Sequence, residues 1–160
     1  MKTIEVALST TNWFSSRFLR WAQRCPYSHV EFMFTDEETG ERYAIGARTK
    51  GVKKHTDFEY FTKILPCYID VTDEEYAKIM EFIDQHLGEK YDWRAYLGFA
   101  LFKNTHDKDA WFCSEFVHAA FVYAGVNVLQ NTPSYYTMPR DFWISPSFRE
   151  DKEGPAITLV

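Results

Sequence analysis

Apolar and polar positions alternate over residues 3–8, a period of two that predicts a strand. Ser9, Thr10, Thr11 and Asn12 then offer N-caps. Phe14, Phe18 and Trp21 recur at i, i+4 and i+7, the apolar stripe of an amphipathic helix running to about Gln23 and ended by Pro26. Residues 29–34 alternate again, with Val30, Phe32 and Phe34 on one face and His29, Glu31 and Met33 on the other. A polar turn at 36–40 leads to a returning strand at 41–47, and 51–55 and 63–71 read as further strands.

The period then changes to that of a helix. Thr72-Asp73-Glu74-Glu75 is a capping box, followed by a stripe of Tyr76, Ile79, Met80, Ile83 and Leu87. Gly88 stands where a helix-ending glycine belongs. Residues 92–102 are expected to be helical and 104–110 a polar loop. Phe116, Val117, Ala120, Phe121 and Ala124 form the buried face of a helix that starts near Cys113 and stops at Gly125. From Asn127 onward the chain reads as mostly irregular, with prolines at 133, 139, 146 and 155. There is no repeat, linker or low-complexity tract, so residues 1–160 are expected to form a single domain. The class is α+β, a central antiparallel sheet packed against helices.

Composition narrows the function classes. Of the 160 residues 46% are apolar, enough for a packed core, and the formal net charge is −5. An acidic chain with no basic run offers no electrostatic footprint for nucleic acid, and none is expected for a membrane surface. The nearest thing to a basic cluster, Arg48, Lys50, Lys53 and Lys54, reads as a solvated hairpin. No window approaches a membrane span, and Glu5 interrupts the first apolar run where a signal peptide would need a longer one. A cytoplasmic protein without membrane insertion is expected. Cys25, Cys67 and Cys113 are odd in number and widely spaced, which argues against disulfides and a zinc knuckle; no metal or cofactor is expected.

Two segments carry candidate chemistry. Cys113 stands at the junction of a polar loop and an apolar helix, where unpaired N–H groups and the macrodipole favour an anion. A thiol there ionises more readily, and the same N–H groups can hold an oxyanion. A small buried hydrophobe is the competing reading of this segment. His29 opens a strand, and a neutral imidazole can take a thiol proton and return it to a leaving amine. Glu31 is two residues on, on the same face, placed to orient the ring or to hold its positive charge; a solvated carboxylate is the plain alternative. His55 and His106 sit in polar surroundings, and His86 lies near a helix end, where a cation is favoured. His118 lies about 140° round the helix from Cys113 and so off its face.

Ser28-His29-Val30-Glu31 early and Phe112-Cys113-Ser114-Glu115-Phe116-Val117 late resemble the circularly permuted branch of the NlpC superfamily of papain-like cysteine hydrolases (its YiiX-like, phage-type branch), in which the histidine strand precedes the cysteine helix. Gly88-Glu89-Lys90-Tyr91-Asp92-Trp93 is similar to the family's tyrosine segment, and Met138-Pro139-Arg140-Asp141-Phe142 to its late proline–acid loop. The resemblance implies a bacterial or phage protein with Cys113 as nucleophile, His29 as base and Tyr91 lining the oxyanion position. It also marks a departure. The family often places a polar side chain on the strand after the histidine strand, and Gly46 stands at the equivalent position here. The orienting role is therefore expected to pass to Glu31.

The expected function is a cysteine hydrolase that cleaves an amide bond in a cell-wall stem peptide or related small peptide through a Cys113 thioester. Lipid acyl transfer or thioester hydrolysis would use the same pair. A non-catalytic phage or envelope module is the third reading, and the missing side chain at Gly46 is what speaks for it.

Overall fold

The alternating segments pair into one five-stranded antiparallel sheet in the order β4-β3-β2-β1-β5. These are β1 (Lys2–Thr10), β2 (His29–Thr35), β3 (Arg42–Arg48), β4 (Gly51–His55) and β5 (Lys63–Val71). The computed structural model describes residues 1–94 and 109–151. β1 lies between β2 and β5, with Leu8 opposite Val30 on one side and Leu65 on the other. Residues opposite each other in such pairs share a face. One face is therefore continuous in Ile4, Val6, Leu8, Val30, Phe32 and Ile45, all in the main core. The other carries Ala7, Met33 and Ala44, packed with Phe58 from the β4–β5 connection.

Two helices cover the first face. α2 (Asp73–His86) begins with the expected box, in which Glu75 N–H donates to Thr72 Oγ1 at 3.1 Å and Thr72 N–H to Glu75 Oε2 at 2.7 Å. α3 (Cys113–Ala124) lays Phe116 and Phe121 on Phe32, with ring centroids 6.4 and 5.6 Å apart. It ends, as predicted, at Gly125 in a left-handed conformation. Gly88 also has positive φ, and its N–H donates to Val52 O at 2.8 Å, tying the end of α2 to β4.

Several expectations are corrected. α1 (Phe14–Gln23) forms as predicted, but its aromatic stripe faces outward: Phe14 is 85% exposed and Trp21 73%. The buried face is Ser16, Leu19 and Gln23. Polar partners fix this rotation. Ser16 Oγ pairs with Ser28 Oγ and accepts from Thr11 N–H, while the Gln23 side chain donates to Tyr27 O and accepts from Arg140 N–H. The stop is made by Arg24 in the left-handed region, not by Pro26. Ala110 belongs to a two-residue strand, β7 (Ala110–Trp111), pairing in parallel with β6 (Lys90–Tyr91), where a loop was expected. The chain after Asn127 contains a 3₁₀ turn, Ser134–Tyr136, and a short helix, α4 (Pro139–Ile144). Pro139 there starts a helix, since its missing N–H is one that a first turn leaves unpaired anyway. The predicted helix at 92–102 and the loop at 104–110 fall mostly outside the described residues.

Candidate active site

Strand alternation places His29 and Glu31 on one face of β2, and the side chains meet. His29 Nε2 donates to Glu31 Oε2 at 3.1 Å. With Nε2 committed, Nδ1 is the ring nitrogen left to face Cys113, which lies near enough to act on the ring's charge. Cys113 is the first residue of α3; the N-cap residue, Phe112, supplies no side-chain cap. The structure thus brings together three of the four residues singled out from sequence, drawn from a strand and a distant helix.

Glu31 is only 1% exposed, and a buried carboxylate is costly without partners. Arg48 provides them through a two-pronged contact, Nε to Oε2 at 3.0 Å and Nη2 to Oε1 at 2.7 Å. The remaining Nη1 donates to Asp57 Oδ1 at 3.0 Å, to Asp57 O at 3.2 Å and to the Tyr60 hydroxyl. The guanidinium also lies 5.2 Å from the Phe61 ring centroid, and Phe61 stacks on His29. Arg48 is therefore not part of a solvated hairpin. Its side chain is 10% exposed, whereas Lys50, Lys53 and Lys54 are exposed.

The charges shift one another. Burial works against a charged His29, but Glu31 and then Cys113 outweigh it and lift the ring's pKa to about 9. Burial likewise opposes ionisation of Glu31, yet His29 and Arg48 together hold it down to about 2. The two shifts are two views of one ion pair. Burial pushes the Cys25 thiol up and Cys67 up to about 12.

Gly46 has its own reason. It continues the β2–β3 register opposite Glu31, and a Cβ there would lie 2.7 Å from Glu31 Cβ and 3.4 Å from Oε2. The position is empty because Glu31 crosses it. The sequence held a signal for Arg48 too, since it is two residues beyond Gly46 and shares its face. Asp57 and Tyr60, in an irregular connection, had none.

A pocket of about 320 Å³ opens over His29, walled by Trp13, Tyr60, Phe61, Tyr91 and Trp93, with Arg48 and His55 also in its lining. Tyr91 is pinned by the β6–β7 pairing opposite Trp111, its ring 5.9 Å from Phe112, the residue before Cys113. Cys113 itself is 1% exposed and does not line the pocket; His29 does. His55 is largely buried here among Arg48, Glu31 and Asp57, in the polar surroundings expected, and burial lowers its pKa. His118 is buried against Thr137, its Nδ1 2.7 Å from Oγ1, away from the thiol as predicted, and burial lowers its pKa too. His86 bonds Glu89. His106 lies outside the described residues.

The crystal structure of the metalloprotein YiiX from Escherichia coli O157:H7 is similar to this chain, with a TM-score of 0.70 over 92% of this chain and 94% of that one. The two are 15% identical, so the likeness shows a shared YiiX-like α+β fold. No protein-family model and no curated protein matches the sequence. Among the described residues, no helix is long and apolar enough to cross a membrane.

Proposed function

We propose that the chain is a cysteine hydrolase cleaving an amide bond in a small peptide or related amide, of the cell-wall stem-peptide kind. The observation that supports the reading is His29 set beside Cys113 at the start of α3 and hydrogen-bonded to Glu31. In this mechanism the thiol proton passes to His29 and the sulfur attacks the amide carbonyl carbon. The oxyanion forms against the first N–H groups of α3, with the Tyr91 hydroxyl beside it. The C–N bond breaks as His29 returns its proton to the amine, leaving a Cys113 thioester. Water then attacks the thioester, His29 takes its proton, and the acid departs as the thiol is restored. Glu31 is a positioning residue that holds the ring and its charge, and Arg48 holds Glu31.

Gly46 lends no support to a non-catalytic module, because Glu31 occupies the space its side chain would need. The aromatic pocket walls also suit an apolar acyl portion, which keeps thioester hydrolysis or acyl transfer as the second reading. The solved neighbour is titled a metalloprotein, but the residues here do not fit a metal. Both oxygens of Glu31 are held by Arg48, and no group of three His, Cys, Asp or Glu side chains among the described residues could hold an ion.

The test is labelling with iodoacetamide, small enough to reach a buried sulfur. Cys113 should react faster than Cys25 and Cys67, and His29→Ala should slow Cys113 by at least about tenfold. Equal rates at the three cysteines would remove the enzyme reading. Mass spectrometry of peptidoglycan fragments then distinguishes amide hydrolysis from acyl transfer.

A further inference from the structure

Helix α1 turns its apolar side to solvent. At 100° per residue Phe14, Phe18 and Trp21 fall within an arc of about 60°, directly opposite the buried Ser16, Leu19 and Gln23. An ordinary surface helix does the reverse. Trp13, directly before the helix, adds a further ring that is 58% exposed.

The charge beside this patch is one-sided. Exposed Arg17 and Arg24 lie along one flank of the aromatic arc. From Ser9 to Val30 the chain has no Asp or Glu, although its net charge is −5. The whole-chain average, from which no membrane footprint was expected, conceals a local cationic helix.

We propose that this face docks the protein on an anionic lipid bilayer surface, with the α1 rings at headgroup depth and Arg17 and Arg24 on lipid phosphates. Exposed Trp and Phe beside Arg is the composition that partitions to such an interface. A second copy fits less well, because a two-fold pairing of α1 would set arginines against arginines. A single convex helix also offers no groove for a peptide, whereas lipid moulds around it. Trp13 and Leu19 wall the pocket as well, so a docked molecule holds its pocket mouth beside the interface.

The test is co-sedimentation and tryptophan emission with phosphatidylcholine vesicles carrying roughly a third phosphatidylglycerol, against pure phosphatidylcholine. The anionic vesicles should bind the protein with a blue shift, less so as salt rises. The pair Arg17→Gln with Arg24→Gln should weaken binding about 25-fold, at about fivefold per arginine. Phe14→Ser with Trp21→Ser should abolish it, with the circular dichroism unchanged because both side chains are exposed. Three results would overturn the proposal: no binding to the anionic vesicles, binding indifferent to both pairs, or a dimer in solution that Phe14→Ser with Trp21→Ser disperses, which would give the face to a second copy. The assay reads no hydrolysis, so its failure and that of the proposed chemistry are separate.

Discussion

Gly46→Ala is the smallest change that reaches the candidate site without touching a titrating group. The new Cβ would lie 2.7 Å from Glu31 Cβ, where ordinary contact begins at 3.4 Å, so something must give by about 0.7 Å. Glu31 Cβ cannot rotate away, being fixed to the backbone of a paired strand, and Glu31 Cα is itself only 3.5 Å off. The strands must part or the Glu31 side chain must tilt. Overpacking of this kind costs about 1–3 kcal/mol, which for a chain of this size lowers Tm by roughly 3–10 °C. The larger effect is local. Glu31 makes its bonds to Arg48 and His29 at 2.7, 3.0 and 3.1 Å. A displacement of about 0.7 Å carries them to roughly 3.4–3.8 Å, at or beyond hydrogen-bond reach. The expected outcome is a folded protein, lower in Tm, in which iodoacetamide labels Cys113 more slowly and with a changed pH profile, while Cys25 and Cys67 react as before. A Gly46→Ala protein with wild-type Tm and a wild-type Cys113 profile would refute the claim that the glycine exists to clear Glu31.

Three further outcomes follow from the same geometry. The depression of Glu31 from 4.5 to about 2 corresponds to about 3 kcal/mol, and the rise of His29 belongs to the same pair and is not added. The stabilisation is fully present between about pH 4.5 and 6.5, and is lost as pH rises through about 9 or falls through about 2; Glu31→Gln should flatten both limbs of the Tm–pH curve. Arg48→Ala leaves a buried carboxylate with one partner and should cost about 3–5 kcal/mol in urea unfolding, whereas Arg48→Lys, keeping the charge without the fork, should cost less and still shift the Cys113 labelling profile. Burial raises Glu115 to about 7, opposed by the Phe112 N–H and abetted by Asp92, so its folded-state penalty is absent below about pH 4.5 and complete above about 7. Glu115→Gln should therefore raise Tm by a few degrees near pH 8, and leave it unchanged near pH 4.

Much of this arrangement was legible in the chain. Strand alternation alone put His29 and Glu31 side by side, because a period of two leaves no other choice once the strand is recognised. The helix start at Cys113 was legible because five apolar residues at helical spacing follow it. The orientation of α1 was not, since the stripe says which side is apolar and not which side is buried. There the decision lay with Ser16 and Gln23, whose partners at Ser28, Tyr27 and Arg140 are brought in by the fold. Arg48 was misread because four basic residues in one hairpin look alike by composition. What sets Arg48 apart is its place on β3, next to Glu31's strand and two residues beyond Gly46, while the three lysines face water. The proline-rich tail was read as irregular because Pro139 breaks a helix anywhere but at its first turn, where it stands.

Glu31, Gly46 and Arg48 depend on one another physically. The carboxylate springs from the histidine's own strand, two residues on, and has to lie over its neighbour to reach the ring. That geometry makes two demands at once. The neighbouring position must lose its side chain, and a carboxylate moved into a site 1% exposed must gain a counter-charge. β3 meets both with Gly46 and Arg48, two residues apart on one face. Glu31, Gly46 and Arg48 are therefore a single solution spread over two strands, and their substitutions should not add. With Glu31→Ala in place there is no side chain for a Cβ at position 46 to displace and no partner for Arg48 to hold. Gly46→Ala on that background should cost less than on the wild type, a coupling of about 1 kcal/mol or more in a double-mutant cycle. Simple additivity would mean that the glycine serves the strand and not the carboxylate.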